Sequence, residues 1–168
     1  MTENPFKTGS VLADASSQQC QPNPPRRILV VEDEPLIRRL NSEMLIDSGY
    51  HVDVAEDGVI AWDALLLNDY DLVVTDNSMP NLSGVQLIER LHTARMAMPV
   101  IMATATLPQE EFTRCPWLQP DAILLKPYSL AEFLGAVKDV LNASADVREG
   151  IAPLPIWQTL PSAMTLRL

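Results

Sequence analysis

Between Arg26 and Asn142 the apolar positions follow two rhythms that take turns. Five short runs, "RILVVE", "HVDVA", "DLVVTD", "PVIMAT" and "DAILLK", are dense in Val, Ile and Leu. The first, third, fourth and fifth are nearly continuous, as in strands covered on both faces, while the second alternates and reads as an edge. The segments between them have helix punctuation. Pro35 opens the first, Leu36, Ile37, Leu40 and Met44 give it one apolar stripe, and Gly49 after its end suits a left-handed cap. The second follows Asp57. Ser83 with Gln86, and Ser129 with Glu132, have the spacing of capping boxes at the starts of the third and fifth helices. The fourth begins near Pro108 and cannot comfortably pass Pro116, which predicts a short helix.

Strand and helix in strict alternation predict an α/β domain: a doubly wound, five-stranded parallel sheet with helices on both faces. In such sheets ligands bind beyond the carboxyl ends of the strands. The polar residues at those ends are Glu32 and Asp33, Asp76, Thr104 and Lys126, so the topology predicts that all five meet at one rim.

Composition then sets the limits of the domain. Residues 1–25 are rich in Ser, Thr, Gln, Asn and Pro and offer too little apolar surface to offset ordering, which predicts a flexible amino-terminal tail. Residues 26–142 form the domain. Residues 143–168 are read as a carboxyl-terminal tail or arm, apolar and Pro-rich, with Trp157 packing in cis or on a second copy of the chain; a homodimer is left open. Twelve basic against 22 acidic residues give a net charge of −10, the wrong sign for a surface that tracks phosphates. No nucleic-acid partner is expected. Cys20 and Cys115 have no metal-ligand spacing, and no apolar run is long enough to span a bilayer. These readings predict a cytoplasmic chain with no membrane association.

Three carboxylates, a hydroxyl and an ammonium at one rim suggest a definite chemistry. Crowded carboxylates must either take up a proton or attract a cation, and hard oxygen ligands suit Mg²⁺. A cation and Lys126 beside Asp76 would suppress repulsion toward an incoming phosphoryl group. A carboxylate that attacks phosphorus becomes an acyl phosphate.

At this point the chain resembles the response regulator receiver domains of two-component signalling. "ILVVEDEP" is similar to that family's acidic-pair segment, "DLVVTDNSMPNLSG" to its phosphoacceptor segment, "VIMATA" to its hydroxyl segment and "LLKPY" to its Lys-Pro segment, in the family's order. The resemblance implies the flavodoxin-like sheet order 2-1-3-4-5, and that Asp76 is phosphorylated by a histidine kinase or histidine phosphotransfer protein. It implies that Glu32, Asp33, Asp76 and the backbone carbonyl of Ser78 hold Mg²⁺, with Asp33 a more direct ligand than Glu32. Thr104 and Lys126 would bind the phosphoryl group, a cis peptide would precede Pro127, and Ser78 and Thr106 would tune how quickly the phosphate is lost. The switch position, usually Tyr or Phe, is Ile123, which removes the family's swinging ring and moves attention to Tyr128 and the irregular fourth helix. The implied function is that of a single-domain response regulator, not an enzyme beyond slow autodephosphorylation, acting by docking to an unknown downstream protein or by relay. A degenerate receiver working as a phosphorylation-independent interaction module is the alternative. A phosphatase of the haloacid dehalogenase class fits less well, since it looks for an acid where this chain has Ser78.

Overall fold

The computed structural model describes residues 25–148. The expectations of an amino-terminal tail and of an arm bearing Trp157 fall outside these residues. Five strands, β1 (Arg27–Val31), β2 (His51–Ala55), β3 (Leu72–Thr75), β4 (Val100–Thr104) and β5 (Ala122–Leu125), form one sheet in the order β2-β1-β3-β4-β5. Every pairing is parallel. The helices are α1 (Pro35–Asp47), α2 (Gly58–Leu67), α3 (Gly84–Thr93), α4 (Gln109–Arg114) and α5 (Leu130–Arg148), with a 3-10 turn at Pro116–Leu118. The predicted sheet order and helix placement are those observed.

The pleat explains why the central runs are apolar throughout. Along β1, Ile28 and Val30 pack with Leu45 of α1 and Phe133 of α5. Leu29 and Val31 pack on the other side with Ala61, Leu65, Leu87 and Phe112 of α2, α3 and α4. Successive residues thus serve two cores, and none of Ile28, Leu29, Val30 and Val31 faces water.

The punctuation also holds. Asp57 caps α2 by accepting from the amides of Val59 and Ile60, and Ser83 and Gln86 close a reciprocal capping box on α3. Ser129 and Glu132 do the same on α5. Gly49 has φ +89°, the left-handed conformation expected past the end of α1. Helix α4 is six residues long.

Three expectations need correcting. Leu36 and Leu40 of the predicted α1 stripe are 72% and 55% exposed, and the buried face is Asn41, Ser42 and Leu45. The β5 run is not covered on both faces, since Ile123 and Leu125 are exposed. This strand is the second edge of the sheet. Helix α5 runs to Arg148, six residues past the expected boundary, because "ASADVR" contains no helix breaker.

Candidate functional site

Register brings the site together. Val31 pairs with Thr75, Thr75 with Met102, and Thr104 with Leu125. Residues that directly follow β1, β3 and β5 therefore emerge at one rim. Glu32 and Asp76 are buried there at 3% and 8% exposure, and Asp33 is exposed beside them. One carboxylate oxygen from each lies within 4.8 Å of the others.

Lys126 crosses the rim from β5. Its Nζ donates to Glu32 Oε2 at 2.7 Å and to Asp76 Oδ2 at 2.9 Å. The other oxygen of Asp76, Oδ1, accepts from the amides of Asn77 and Ser78. Asp76 is thus held at both oxygens, by an ammonium on one side and by the turn after β3 on the other. Burial raises the pKa of Glu32 above its ordinary value, against the opposing pull of Lys126. Burial pulls the other way on the Lys126 ammonium, but the hydrogen bonds to Glu32 and Asp76 outweigh it and the pKa is raised. Three carboxylates facing one ammonium leave an excess of negative charge. The donor set is entirely oxygen, so these residues suit a hard divalent cation.

Gly84, the first residue of α3, lets the acceptor turn close on that helix. A Cβ there would run into the carbonyl oxygen of Asp76 and lie 3.0 Å from Asn77 Cα. Asn77 ties the turn down further by accepting from the amide of Val85.

The hydroxyl of Thr104 reaches the same rim, fully buried, but is not bonded to Asp76. It donates to the carbonyl of Thr106 at 3.1 Å. Ser78 and Thr106 have exposed side chains. Ile123 lies on the outer side of β5, 38% exposed, with no ring to swing inward. The Lys126–Pro127 peptide is cis.

Two contributors escaped the sequence reading. Arg38 Nη1 donates to the carbonyls of Glu32 and Asp33 at 2.6 and 3.1 Å, pinning the acidic pair from α1. Its signal was a basic side chain near a helix N-terminus, where the dipole disfavours it unless something else holds it. Asn41 donates to Tyr128 Oη at 3.0 Å, and Tyr128 stacks on Phe133 at 5.6 Å. That pair joins residues 87 apart, and no local pattern could announce it.

The family model for the response regulator receiver domain matches residues 28–138. The chain belongs to this family. The receiver domain is 41% identical over 103 residues to the sensor histidine kinase RcsC of Escherichia coli, a match covering 61% of this chain and 11% of the kinase. It is 31% identical over 121 residues to the transcriptional regulatory protein CusR of the same organism, covering 72% of this chain and 53% of that protein. The receiver domain thus spans about half or less of these curated relatives. Among solved structures, it resembles the response regulator TrrA of Thermotoga maritima in complex with Mg²⁺-BeF, at TM-score 0.61 and 33% identity, covering 68% of this chain and 98% of that one. It also resembles a CheY-like receiver domain protein of Methanospirillum hungatei, at TM-score 0.69 and 25% identity, covering 73% and 98%.

Proposed function

We propose that this receiver domain accepts a phosphoryl group on Asp76 from a histidine kinase or histidine phosphotransfer protein and passes the signal on by protein-protein docking or relay. The observation that supports this reading most strongly is the Lys126 ammonium shared between Glu32 and Asp76, with Asp33 within reach of the same cation. A capping or turn role for these residues would not gather them from strands 50 and 94 residues apart.

The chemistry follows from what each group can do. A carboxylate oxygen of Asp76 attacks the phosphorus of a phosphohistidine. The P–N bond breaks, its electron pair leaves with the imidazole, and an acyl phosphate remains on Asp76. The amides of Asn77 and Ser78 hold one oxygen of the acceptor and fix its orientation. Lys126 can follow the charge from the carboxylate onto a phosphoryl oxygen, and Thr104 can do so once its hydroxyl leaves Thr106. Glu32, Asp33, Asp76 and the carbonyl of Ser78 would hold Mg²⁺, which supplies Lewis-acid neutralisation of the phosphoryl oxygens when bound. No acid or amide side chain stands at Ser78 or Thr106 to orient water, so hydrolysis is slow and the chain is not an enzyme in its own right.

Partner contact has a surface beside this rim. Helices α1 and α5 both start there, and Leu36, Leu40 and Leu130 are exposed on them at 72%, 55% and 53%. Such residues suit the apolar flank of a phosphodonor helix. No helix among the described residues is long and apolar enough to cross a membrane.

The test is incubation with a small acyl phosphate and Mg²⁺, followed by intact-mass measurement. One phosphoryl group should appear on the wild-type chain and none on Asp76→Asn. Absence of any adduct on the folded wild type would favour a phosphorylation-independent interaction module, the reading that Ile123 at the switch position supports. Rapid turnover of unrelated phosphoesters would favour the phosphatase.

A further inference from the structure

The loop that follows Asp76 is closed at its base, where the amide of Gly84 donates to the carbonyl of Asn77 at 3.2 Å and the amide of Val85 to Asn77 Oδ1 at 3.1 Å. Its tip, Pro80 and Asn81, is exposed. The tip is nevertheless held, because Asn81 Nδ2 donates to Asp57 Oδ2 at 2.6 Å. Among the described residues, no other hydrogen bond joins residues 78–83 to a part of the chain outside 76–87.

Asp57 has an oxygen to spare for this contact. Its Oδ1 accepts from the amides of Val59 and Ile60 and so completes the cap of α2 alone. The residue is 7% exposed, and Oδ2 would be costly to bury without a donor. Asn81 supplies it. The backbones of the two turns also meet, since a Cβ on Gly58 would lie 2.5 Å from the carbonyl oxygen of Leu82. Asn81 has φ +64°, a left-handed conformation that Asn and Asp accept more readily than most residues.

We propose that Asp57 and Asn81 are positioning residues for the phosphoacceptor: their hydrogen bond clamps the tip of the loop whose base presents the Asn77 and Ser78 amides to Asp76 Oδ1. The inference rests on the reading of Asp76 as acceptor and of the Ser78 carbonyl as a Mg²⁺ ligand. A loop fastened only at its base can pivot about Asn77, and a misplacement of about 1 Å near reacting atoms costs up to about 100-fold in rate. The clamp from the β2–α2 turn removes that freedom without touching the transferred group.

The pair can be exchanged while the cap and the backbone are kept. Asn81→Asp retains a residue that accepts positive φ but sets a second carboxylate against Asp57. Adding Asp57→Asn restores a donor, because Asn caps as well as Asp through Oδ1 and its Nδ2 then faces the new acid. The double variant has the net charge of the wild type. Asn81→Asp should speed amide exchange over residues 77–85 and slow acyl phosphate labelling of Asp76, each by about tenfold. It should also raise several-fold the Mg²⁺ concentration that gives half of the metal's gain in urea resistance. The double variant should return all three to within about threefold of wild type. Exchange that is equal in wild type and Asn81→Asp, or a double variant no better than Asn81→Asp, would overturn the inference. So would exchange that follows the cycle while labelling and Mg²⁺ dependence do not, which would leave the bond a purely structural role. A wild type that takes no phosphoryl group counts against the acceptor reading instead, and exchange and Mg²⁺ dependence then decide the clamp.

Discussion

Replacing Lys126 with Met keeps most of the stem and removes an ammonium 2.7 Å from Glu32 and 2.9 Å from Asp76. At an effective dielectric of about 20, each contact represents roughly 6 kcal/mol of gross attraction. Most of that is offset by desolvation of the ions and by repulsion among the carboxylates. The net loss also has a ceiling, because the pocket can take up a proton instead. Protonating a carboxyl of ordinary pKa 4.5 costs roughly 3.4 kcal/mol near pH 7 and roughly 1.4 kcal/mol near pH 5.5. Burial has already raised Glu32, so its own cost is lower at both. Lys126→Met should therefore lose at most about 3 kcal/mol near neutrality and at most about 1 kcal/mol near pH 5.5. The sign is that of an acid whose folded pKa exceeds its unfolded one: stability falls as pH rises from the unfolded value through the folded value. Urea unfolding in the presence of chelator measures both deficits. Mg²⁺ held by the proposed site would favour the folded state, and should recover more stability in the variant than it adds to the wild type. An equal deficit at the two pH values, or an identical Mg²⁺ increment in both chains, would refute the assignment of Lys126 as counter-charge to this pocket.

Three further outcomes follow from the same geometry. Asp57→Ala removes the acceptor for the amides of Val59 and Ile60 and for Asn81 Nδ2, and should cost about 1–2 kcal/mol in urea unfolding. The amide of Ile60, then Asn81, holds the Asp57 carboxyl below its ordinary 3.8, so its contribution is present above that value and is lost as acid protonates it, and the two chains should converge there. Gly84→Ala drives a methyl into the acceptor turn, so phosphoryl uptake from an acyl phosphate should fall by about tenfold or more while the chain stays folded by circular dichroism. Burial first, and then its bond to Asp53, pushes the Tyr70 hydroxyl up to about 12. The folded state then binds a proton that the unfolded state releases, so stability should decline between about pH 10 and 12 in the wild type and less so in Tyr70→Phe, as followed by phenolate absorbance and unfolding.

The strands and the rim residues were legible because they are written locally. Residues buried on both faces must be apolar, and a charge that ends such a run has few structural excuses. Caps and breakers are local too, which is why Asp57, Ser83, Pro108 and Ser129 sit where the pattern put them. What could not be read is where a face points once neighbours are chosen. Leu36 and Leu40 have core periodicity, yet the core side of α1 is set by Asn41 meeting Tyr128 from the other end of the chain. Likewise "AILL" carries no mark of being the last strand. Only the sheet order leaves Ile123 and Leu125 without a covering layer. Arg38 was missed because its partners are backbone carbonyls, which no side-chain motif encodes.

The bond from Lys126 to Glu32 spans 94 residues and ties the first strand of the sheet to the last. During synthesis the acid pair and the acceptor emerge well before the lysine does, and until β5 docks they lack their fixed cation. A growing or half-assembled polypeptide therefore holds Glu32 and Asp76 without their shared ammonium, and the rim is complete only with the closing strand.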